Sequence, residues 1–271
     1  MKRYVVLEKR VGETPLQAIG AWRAAHPEYR DTRASYAGRL DPMASGKLLV
    51  LIGDECKRQG AYTNLDKEYE IEVLLDIGTD TGDVLGLCNE GGEETHSGRT
   101  DLTSVLKKLE GAHRVAYPVF SSKTVDGKPL FLHALLGTLG SISLPEHIEH
   151  IYRIRVCDMR TLPVEELKRR IETQLSRAPR TTEPSKMLGA DFRIREIRSE
   201  WATLFGRVGA REFTLATLRV SCGSGTYMRT LAARIGTALG TRALALSIKR
   251  TRIGKYVPVL GGHGVWLYEY R

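Results

Sequence analysis

The stretch YAGRLDPMASGKLLVLIGDECKR, from Tyr36 to Arg58, places one acid, Asp41, between a leucine and a proline in a glycine-flanked loop. The apolar run Leu48–Ile52 behind it predicts a buried segment, and its pattern fits either a strand or the start of a helix. An acid in this position often only caps a turn, but an ionised carboxylate can also act as a nucleophile. The cations Arg39 and Lys47 would help to keep Asp41 ionised. Small residues would let a ligand approach the loop closely: Ala37, Gly38, Ala44, Ser45 and Gly46.

The bulk composition is that of a globular protein with a basic surface. The chain has 271 residues, of which 42% are hydrophobic, and Lys plus Arg outnumber Asp plus Glu by 41 to 32, for a formal net charge of +9. This balance fits a polyanionic partner such as nucleic acid, or equally a solvated basic face. No apolar run approaches the roughly 20 residues that span a bilayer, and the N-terminus lacks a signal-peptide pattern. We therefore expect a soluble cytoplasmic protein without a membrane partner.

The cysteines and histidines do not form a pattern typical of a metal site. The four cysteines are too far apart in sequence to form a CxxC pair, which argues against a zinc ribbon and a disulfide framework. His147 and His150 lie three residues apart, but no third ligand is near them in sequence. We expect no metal.

Strands and helices are mixed along the chain without a strict βαβ order, which predicts an α+β fold with a mainly antiparallel sheet. Alternation of polar and apolar residues and β-rich runs predict the strands Tyr4–Leu7, Lys67–Ile77, Ile148–Val156 and Leu215–Val220. Helical spacing predicts helices from Pro15, over Leu102–Leu109, from Pro163 and over Thr226–Leu239.

Three further features could carry chemistry, and each also has a simpler structural explanation. The glycine turn in SCGSGTYMRTLAARIG precedes a predicted helix with Arg229 in its first turn, so it could face an anion or simply bend the chain. SIKRTRIG reads as a basic loop, with Lys249, Arg250 and Arg252, that could follow a phosphate backbone or face solvent. Tyr69, on an alternating strand, is more typical of a core residue, although its ring could stack on a base.

Taken in order, these segments resemble the TruB family of pseudouridine synthases, which isomerise a uridine in the T arm of tRNA, at position 55. AGRLDPMASGKLLVLIGDECKR is similar to the family's G-x-LDP-x-A-x-G segment and its following G-[ED]-x-x-[KR]. The other matching segments are KEY (K-x-Y), GTDTGDVLG (TDT-x-D-x-x-G), PVFSSKTVDGKPLFLHALLG (the thumb-like segment that grips the RNA stem-loop), CGSGTYMRTLAARIG (GTY-[IM]-R-[TS]) and SIKRTRIG (L-x-R-[TS]-x-x-G). The likeness covers residues 1–159 and 214–256.

The resemblance implies a pseudouridine synthase fold, with helices flanking a mixed sheet, and a role for each matched residue. Asp41 would be the catalytic aspartate, Tyr69 the active-site tyrosine and Arg229 the arginine that pairs with the aspartate. Ile248 would lie over the base and Arg250 near phosphate. The remaining RNA-binding candidates are Tyr36, Arg39, Lys67 and Lys249. The implied reaction flips the base out of the RNA and needs no cofactor, the partner is the T stem-loop of tRNA, and the enzyme is a monomer.

The sequence departs from the family pattern in several places. Tyr36 stands where the family usually has a histidine, and Thr124 and Leu135 replace a lysine and an arginine of the thumb-like segment. We expect a catalytic domain over residues 1–256, interrupted by an insertion at about 160–213, and a short tail, 257–271, without the PUA domain that most members carry. The insertion is rich in arginines, and we hypothesise that it replaces RNA-binding surface missing elsewhere or, equally, that it is a structural elaboration facing solvent.

Other functions remain open at this stage. The chain could be a pseudouridine synthase acting on another RNA hairpin, since its thumb-like segment is altered. It could also be a catalytically inactive RNA-binding or chaperone protein, which would not need Asp41, Tyr69 and Arg229 together. A purely structural domain fits each segment taken singly but does not account for their order.

Overall fold

The computed structural model describes residues 2–88, 102–178, 193–259 and 263–271. Its strands are β1 (Tyr4–Lys9), β2 (Ala34–Ala37), β3 (Ala44–Ile52), β4 (Asp66–Leu75), β5 (Gly111–Ala116), β6 (Thr124–Val125), β7 (Lys128–Pro129), β8 (Glu146–Pro163), β9 (Glu212–Cys222), β10 (Ala243–Val259) and β11 (His263–Glu269). Its α-helices are α1 (Pro15–Ala25), α2 (Gly60–Thr63), α3 (Leu102–Leu109), α4 (Leu130–Leu135), α5 (Val164–Ser176), α6 (Ile194–Val208) and α7 (Met228–Ala238). Within the described residues, the helices are too short or too polar to cross a membrane.

A nine-stranded sheet forms the centre of the molecule, in the order β1-β3-β10-β4-β9-β8-β5, with β2 beside β3 and β11 beside β10. Neighbouring strands pair antiparallel except β3 and β10, which are parallel where Ala44 lies opposite Ile248. The remaining pair, β6 and β7, forms a small separate hairpin. The predicted α+β class with a mainly antiparallel sheet is confirmed.

The ambiguous apolar run Leu48–Ile52 belongs to strand β3. Leu48 and Val50 pack with β1 and α1, whereas Leu49 and Leu51 pack with Leu65 and Ile253 on the opposite face. A strand that is buried on both faces needs apolar residues at every position, so it lacks the alternation of a half-buried strand. Helix α1 begins at Pro15, as the sequence predicts. Thr14 is its N-cap, and the side chains of Thr14 and Gln17 form a capping box around the first turn.

Two pairs of helices cover opposite faces of the sheet. On the front face, α3 and α7 bury Val105, Leu231 and Ile235 against alternating sheet residues that include Ile71. On the back face, α5 and α6 bury a second cluster with the residues that point the other way: Leu74, Leu162, Leu167, Ile171, Trp201, Phe213 and Leu215. Burial of apolar surface stabilises a protein by about 25 cal/mol per Å² removed from water. Both helix layers therefore stabilise the sheet between them.

SIKRTRIG is part of strand β10, so the prediction of a basic loop is wrong. Its hydrogen-bond ladder with β4 places Arg250 opposite Tyr69 and Arg252 opposite Glu68, with a register shift between the two arginines. In a regular strand, residues i and i+2 share one face. The extra residue at this bulge, Thr251, sends the two arginines to opposite faces instead.

The segment at about 160–213 is built into the sheet and its back layer. It contributes the end of β8, helices α5 and α6, and the start of β9, and Trp201 of α6 donates a 3.2 Å hydrogen bond from its indole nitrogen to the carbonyl of Val84. The C-terminal residues form strand β11 against β10. The proposed domain boundaries stay a prediction.

Candidate active site

The structure brings Asp41 and Arg229 into direct contact. Asp41 lies in the loop between β2 and β3, and Arg229 lies in the first turn of α7. Arg229 Nε donates a 2.8 Å hydrogen bond to Asp41 Oδ2. The Asp41 side chain is 36% exposed, whereas that of Arg229 is only 6% exposed. The carboxylate therefore faces solvent at its rim, while the cation that neutralises it is part of the interior.

Arg229 also ties together two other segments near Asp41. Its Nη1 donates to the carbonyl of Thr81 at 2.9 Å and its Nη2 to the carbonyl of Phe120 at 3.1 Å. Burial by itself would lower the pKa of Arg229, but the charges of Asp41 and Asp83 outweigh it and leave that pKa above its usual value. A permanently charged guanidinium that donates from all three of its nitrogens holds the aspartate in one orientation.

The loop Gly78–Gly86 closes one side of the site. Asp83 Oδ2 lies 3.6 Å from Arg229 Nε, and its Oδ1 accepts hydrogen bonds from Thr81 Oγ1 at 2.7 Å and Leu85 N at 3.0 Å. Burial raises the pKa of Asp83, and the neighbouring charge of Asp41 adds to this rise while Arg229 opposes it. Gly82 has φ +74°, and a Cβ there would lie 2.8 Å from the carbonyl oxygen of Arg229, so only glycine allows the loop to pack this close to α7.

Two buried cations support the Asp41 loop from behind. Arg250 is 1% exposed and donates to the carbonyls of Lys47 at 2.7 Å, Arg39 at 3.2 Å and Gly38 at 3.3 Å. Lys9 is fully buried, and its ammonium donates to Pro42 and to two other carbonyls. Sequence analysis missed Lys9; its position near the end of β1, ahead of a glycine turn, was the only available signal.

Tyr69 and Ile248 come together on the front face of the sheet. Both are largely buried and belong to the cluster that also contains Leu40, the residue before Asp41. Burial raises the pKa of the Tyr69 phenol, Arg250 opposes the rise, and the charge of Asp41 adds to it. The tyrosine hydroxyl is therefore neutral at neutral pH and within the electrostatic range of the carboxylate.

Lys67 lies on the same face as Tyr69. Its Nζ donates a hydrogen bond to the carbonyl of Leu65. Burial, followed by the charge of Arg250, lowers the pKa of Lys67 to about 8. Lys47, expected to help to keep Asp41 ionised, instead pairs with Glu269 of β11 at 2.6 Å.

The other predicted RNA-binding residues are spread more widely. Tyr36 packs partly buried beside the β1–α1 cluster, and Arg39 lies exposed at the start of the Asp41 loop. Lys249 is exposed, but it pairs in register with Glu70 on the back face of the sheet, away from Ile248 and Arg250.

An aromatic cluster lies beside the site, and it was not predicted from the sequence. Tyr227, of the GTY segment, has its pKa raised by burial and then by the charge of Asp41. The ring of His147 stacks on Tyr117 at 4.2 Å between centroids, and both rings meet Tyr227 edge-on. His147 Nε2 also lies 3.0 Å from the carbonyl oxygen of Gly225. Within the described residues, His, Cys, Asp and Glu side chains do not gather in a group that could hold a metal ion.

The arrangement presents one carboxylate, held by a buried arginine, at the edge of an apolar platform made by Tyr69 and Ile248. An ionised oxygen in this setting can bond transiently to an electrophilic carbon. The platform offers a flat apolar surface for a planar ring. The geometry therefore suits covalent chemistry on a heteroaromatic nucleotide.

The chain is also similar in sequence to known proteins. Residues 27–176, more than half of the chain, match the sequence model of the TruB family pseudouridylate synthase N-terminal domain. The chain is 28% identical over 254 residues to tRNA pseudouridine synthase B of Bordetella avium, covering 93% of this chain and 81% of that protein. It is 29% identical over 228 residues to tRNA pseudouridine synthase B of Deinococcus radiodurans, covering 83% of this chain and 66% of that protein.

The fold also resembles that of a solved structure, the crystal structure of a Cbf5-Nop10-Gar1 complex. The TM-score is 0.52 at 19% sequence identity, and the match covers 93% of this chain and 48% of the other. At this identity the likeness shows a shared fold. It confirms the expected pseudouridine synthase fold.

Proposed function

Because the chain belongs to the TruB family of pseudouridylate synthases, we propose that it isomerises a uridine in the T arm of tRNA, at position 55, to pseudouridine. The observation that carries the proposal is the partly exposed Asp41 carboxylate, held at 2.8 Å by the buried Arg229. Relatives named tRNA pseudouridine synthase B support tRNA as the substrate. Assignment to the cytoplasm and to a monomer rests on the sequence alone and stays a prediction.

The proposed reaction rearranges one nucleotide without adding or removing an atom. The C1′–N1 glycosidic bond breaks, the uracil turns over, and a C1′–C5 bond forms; C5 releases a proton and N1 takes one up. Asp41 assists by forming a transient bond to the base or to the sugar, or by helping the base to leave, and it is regenerated at the end. Arg229 holds the Asp41 carboxylate in position through their hydrogen bond.

The uridine must leave the RNA stack to reach Asp41. Flipping a base costs a few kcal/mol, and stacking on an aromatic ring is worth about 1–3 kcal/mol. We assign Tyr69 and Ile248 to the apolar platform that contacts the flipped uracil. Because the pKa of Tyr69 is raised, a neutral phenol faces the base, which favours a water molecule over a phenolate as the acceptor of the C5 proton.

The test is incubation of the purified protein with an unmodified tRNA transcript, followed by mapping of pseudouridine through chemical labelling and primer extension. We expect one modified position in the T arm, and the same position in an isolated T-arm hairpin. A transcript with cytidine at the target position is the matched control and should stay unlabelled.

The same experiment separates the remaining alternatives. Modification of a different RNA hairpin, with tRNA untouched, would retain the chemistry and replace the substrate. A folded protein that binds tRNA but forms no pseudouridine in any RNA would contradict the enzyme and leave an RNA-binding protein.

A further inference from the structure

A second pocket lies on the back face of the sheet, in the part that α5 and α6 leave uncovered. It is a cavity of about 200 Å³, which we call the back-face pocket, and its main walls are Arg153, Arg155, Arg219, Arg252, Tyr256 and Trp266. On β4, Glu68 lines this pocket and alternates with Tyr69, which faces the front. Successive residues of a strand point to opposite faces. The back-face pocket and the Asp41 site are therefore on opposite sides of the sheet.

The pocket carries more positive charge than its acids neutralise. Four arginines line it against one carboxylate, Glu68. The nearest approaches are long for ion pairs: Arg252 Nε lies 3.5 Å from Glu68 Oε1, and Arg219 Nη2 lies 3.6 Å from Glu70 Oε2. Within the described part of the chain, the guanidinium of Arg155 pairs with no carboxylate. Excess arginine in a concave surface attracts an anion and can hold phosphate through two parallel hydrogen bonds.

One of these arginines also has an unsatisfied donor. Arg219 Nε is buried and, within the described residues, has no hydrogen-bond partner. Leaving a buried donor unpaired is unfavourable, so most such groups in proteins find an acceptor. An anion oxygen bound in the back-face pocket would supply an acceptor next to Arg219.

Aromatic rings form the other wall of the pocket. Tyr256 stacks on Tyr152 at 5.4 Å and meets Trp266 edge-on at the same distance, and the guanidinium of Arg252 lies 5.9 Å from the Trp266 ring centre. Gly264 packs directly on Tyr256: a Cβ there would lie 2.2 Å from that ring. The indole of Trp266 is partly exposed, so the wall presents a π-surface beside the arginines.

An open groove of about 660 Å³ adjoins this pocket along β11. It shares Arg252 and Trp266 with the pocket and adds Tyr268, Arg271 and Glu269, whose carboxylate lies 3.8 Å from Arg271 Nη2. The exposed Lys249 lies on the same face of β10 as Arg252. A ligand that fills the pocket can therefore continue past the tryptophan over a further basic and aromatic surface, as a strand of nucleic acid would.

We propose that the back-face pocket binds a nucleotide, with its phosphate on Arg155 and Arg219 and its base stacked on Trp266. The groove along β11 extends the site to neighbouring nucleotides of a single-stranded RNA segment. The site goes beyond the proposed isomerase and does not depend on Asp41. The bulge at Thr251 creates it, because a regular strand would send Arg252 to the same face as Arg250.

The test follows the fluorescence of Trp266 while a ligand is added. The full chain is titrated with a five-nucleotide single-stranded RNA that lacks a T-arm sequence and, separately, with adenosine monophosphate. Stacking on the indole should quench its emission. W266F, which keeps an aromatic surface but loses the reporter, should bind with similar affinity in a fluorescence-independent assay and show no such quenching. Quenching by both ligands indicates a free-nucleotide site, whereas quenching by the pentanucleotide alone indicates an RNA-strand site; both results support the proposal.

Two substitutions test the arginines and the stacking separately. W266A should weaken binding of the pentanucleotide roughly tenfold. The double variant R155Q/R219Q should reduce the slope of log affinity against log salt by about 0.7 for each phosphate group that the variant no longer neutralises. The matched control is R30Q, which removes an exposed arginine between α1 and β2, outside the pocket and outside the segment at about 160–213, and should leave both quantities unchanged.

Three results would overturn the proposal. The first is that neither ligand quenches Trp266 at millimolar concentration. The second is that W266A and R155Q/R219Q bind the pentanucleotide as well as R30Q does. The third is that inorganic pyrophosphate binds the pocket while the nucleotides do not. Thermal melts of every variant check that the chain is folded. Because no step requires turnover, a failure of the isomerase assay and a failure of nucleotide binding in the back-face pocket are distinguishable.

Discussion

Arg229 Nε and Asp41 Oδ2 lie 2.8 Å apart although 188 residues separate them in the chain. The arginine is buried and the aspartate is partly exposed. We therefore propose a structural role for Arg229 and a reactive role for Asp41. This asymmetry leads to different expectations for the two residues.

Replacing Asp41 should remove catalysis and spare the fold. D41N keeps the size and one acceptor oxygen but loses the charge and the nucleophile, so we expect pseudouridine formation to fall by at least about a thousandfold. Affinity for tRNA and the melting temperature should stay close to those of the parent. Turnover within tenfold of the parent would exclude Asp41 as the reactive group.

Replacing Arg229 should damage both stability and catalysis. R229M leaves the buried Asp83 without its cation and the carbonyls of Thr81 and Phe120 without donors. Removing one partner of a buried ion pair costs about 3–5 kcal/mol, which denaturant unfolding would measure. R229K retains the charge but not the planar fork, and we expect it to fold better than R229M while turning over more slowly than the parent. Equal stability of R229M and D41N would contradict this division of roles.

A substitution of Arg250 can distinguish a positioning role from a phosphate contact. The resemblance to the family implies that it lies near phosphate, yet its guanidinium is buried and bonded to three carbonyls of the Asp41 loop and β3. We expect R250K to reduce kcat and to leave the salt dependence of RNA affinity unchanged. A decrease of about 1 in the salt slope with kcat retained would instead assign Arg250 to a phosphate.

Lys67 should make the stability of the protein depend on alkaline pH. Burial, with the charge of Arg250, lowers its folded pKa to about 8 from an ordinary value of 10.5. Between these two values the unfolded chain binds the proton and the folded chain does not, so the free energy of unfolding rises with pH in this window. The burial cost is present in full below pH 8.

The matched variant for this prediction is K67M, which keeps the length of the side chain without its charge. Urea unfolding at pH 7, 8, 9 and 10 should show that the difference in stability between K67M and the parent shrinks by a few kcal/mol as the pH rises. A difference that stays constant over this range would mean that Lys67 keeps its ordinary pKa.

The arginines of the segment at about 160–213 allow a test of its proposed RNA role. Deleting the segment would expose the apolar surface that α5 and α6 cover, so point substitutions are cleaner. Arg195 and Arg198 are exposed, and the R195Q/R198Q variant should weaken tRNA binding and flatten its salt dependence if the segment contacts RNA. Unchanged binding would leave the segment a structural elaboration.

Arg193, in the same segment, contacts other residues of the protein, so its substitution can be compared with that of the exposed Arg195 and Arg198. It donates to both carboxylate oxygens of Asp80 at 2.7 and 3.2 Å and lies 4.5 Å from the ring centre of Phe120. Asp80 and Phe120 belong to the segments whose neighbouring carbonyls Arg229 holds. R193Q should therefore lower kcat with little change in the salt slope; a lowered slope with kcat retained would place Arg193 on the RNA.

Several local elements could be predicted because the information lies within a few residues. Helical spacing from Pro15 predicted α1, the alternation from Lys67 predicted β4, and the order of short motifs indicated the family. Leu48–Ile52 could not be assigned, because burial on both faces of β3 removes the alternation that distinguishes a strand.

The fold class, the family and the candidate residues Asp41, Tyr69 and Arg229 could be predicted from the amino-acid sequence, since these depend on local pattern and residue type. Which charged side chains contact each other was visible only in the folded chain. Arg229, and not the nearby Lys47, holds Asp41, and one bulge divides Arg250 from Arg252. The physical reason is that side-chain direction in a sheet follows the register of paired strands, and one extra residue reverses it. Register is set by partners far away in the chain, which no short stretch of sequence contains.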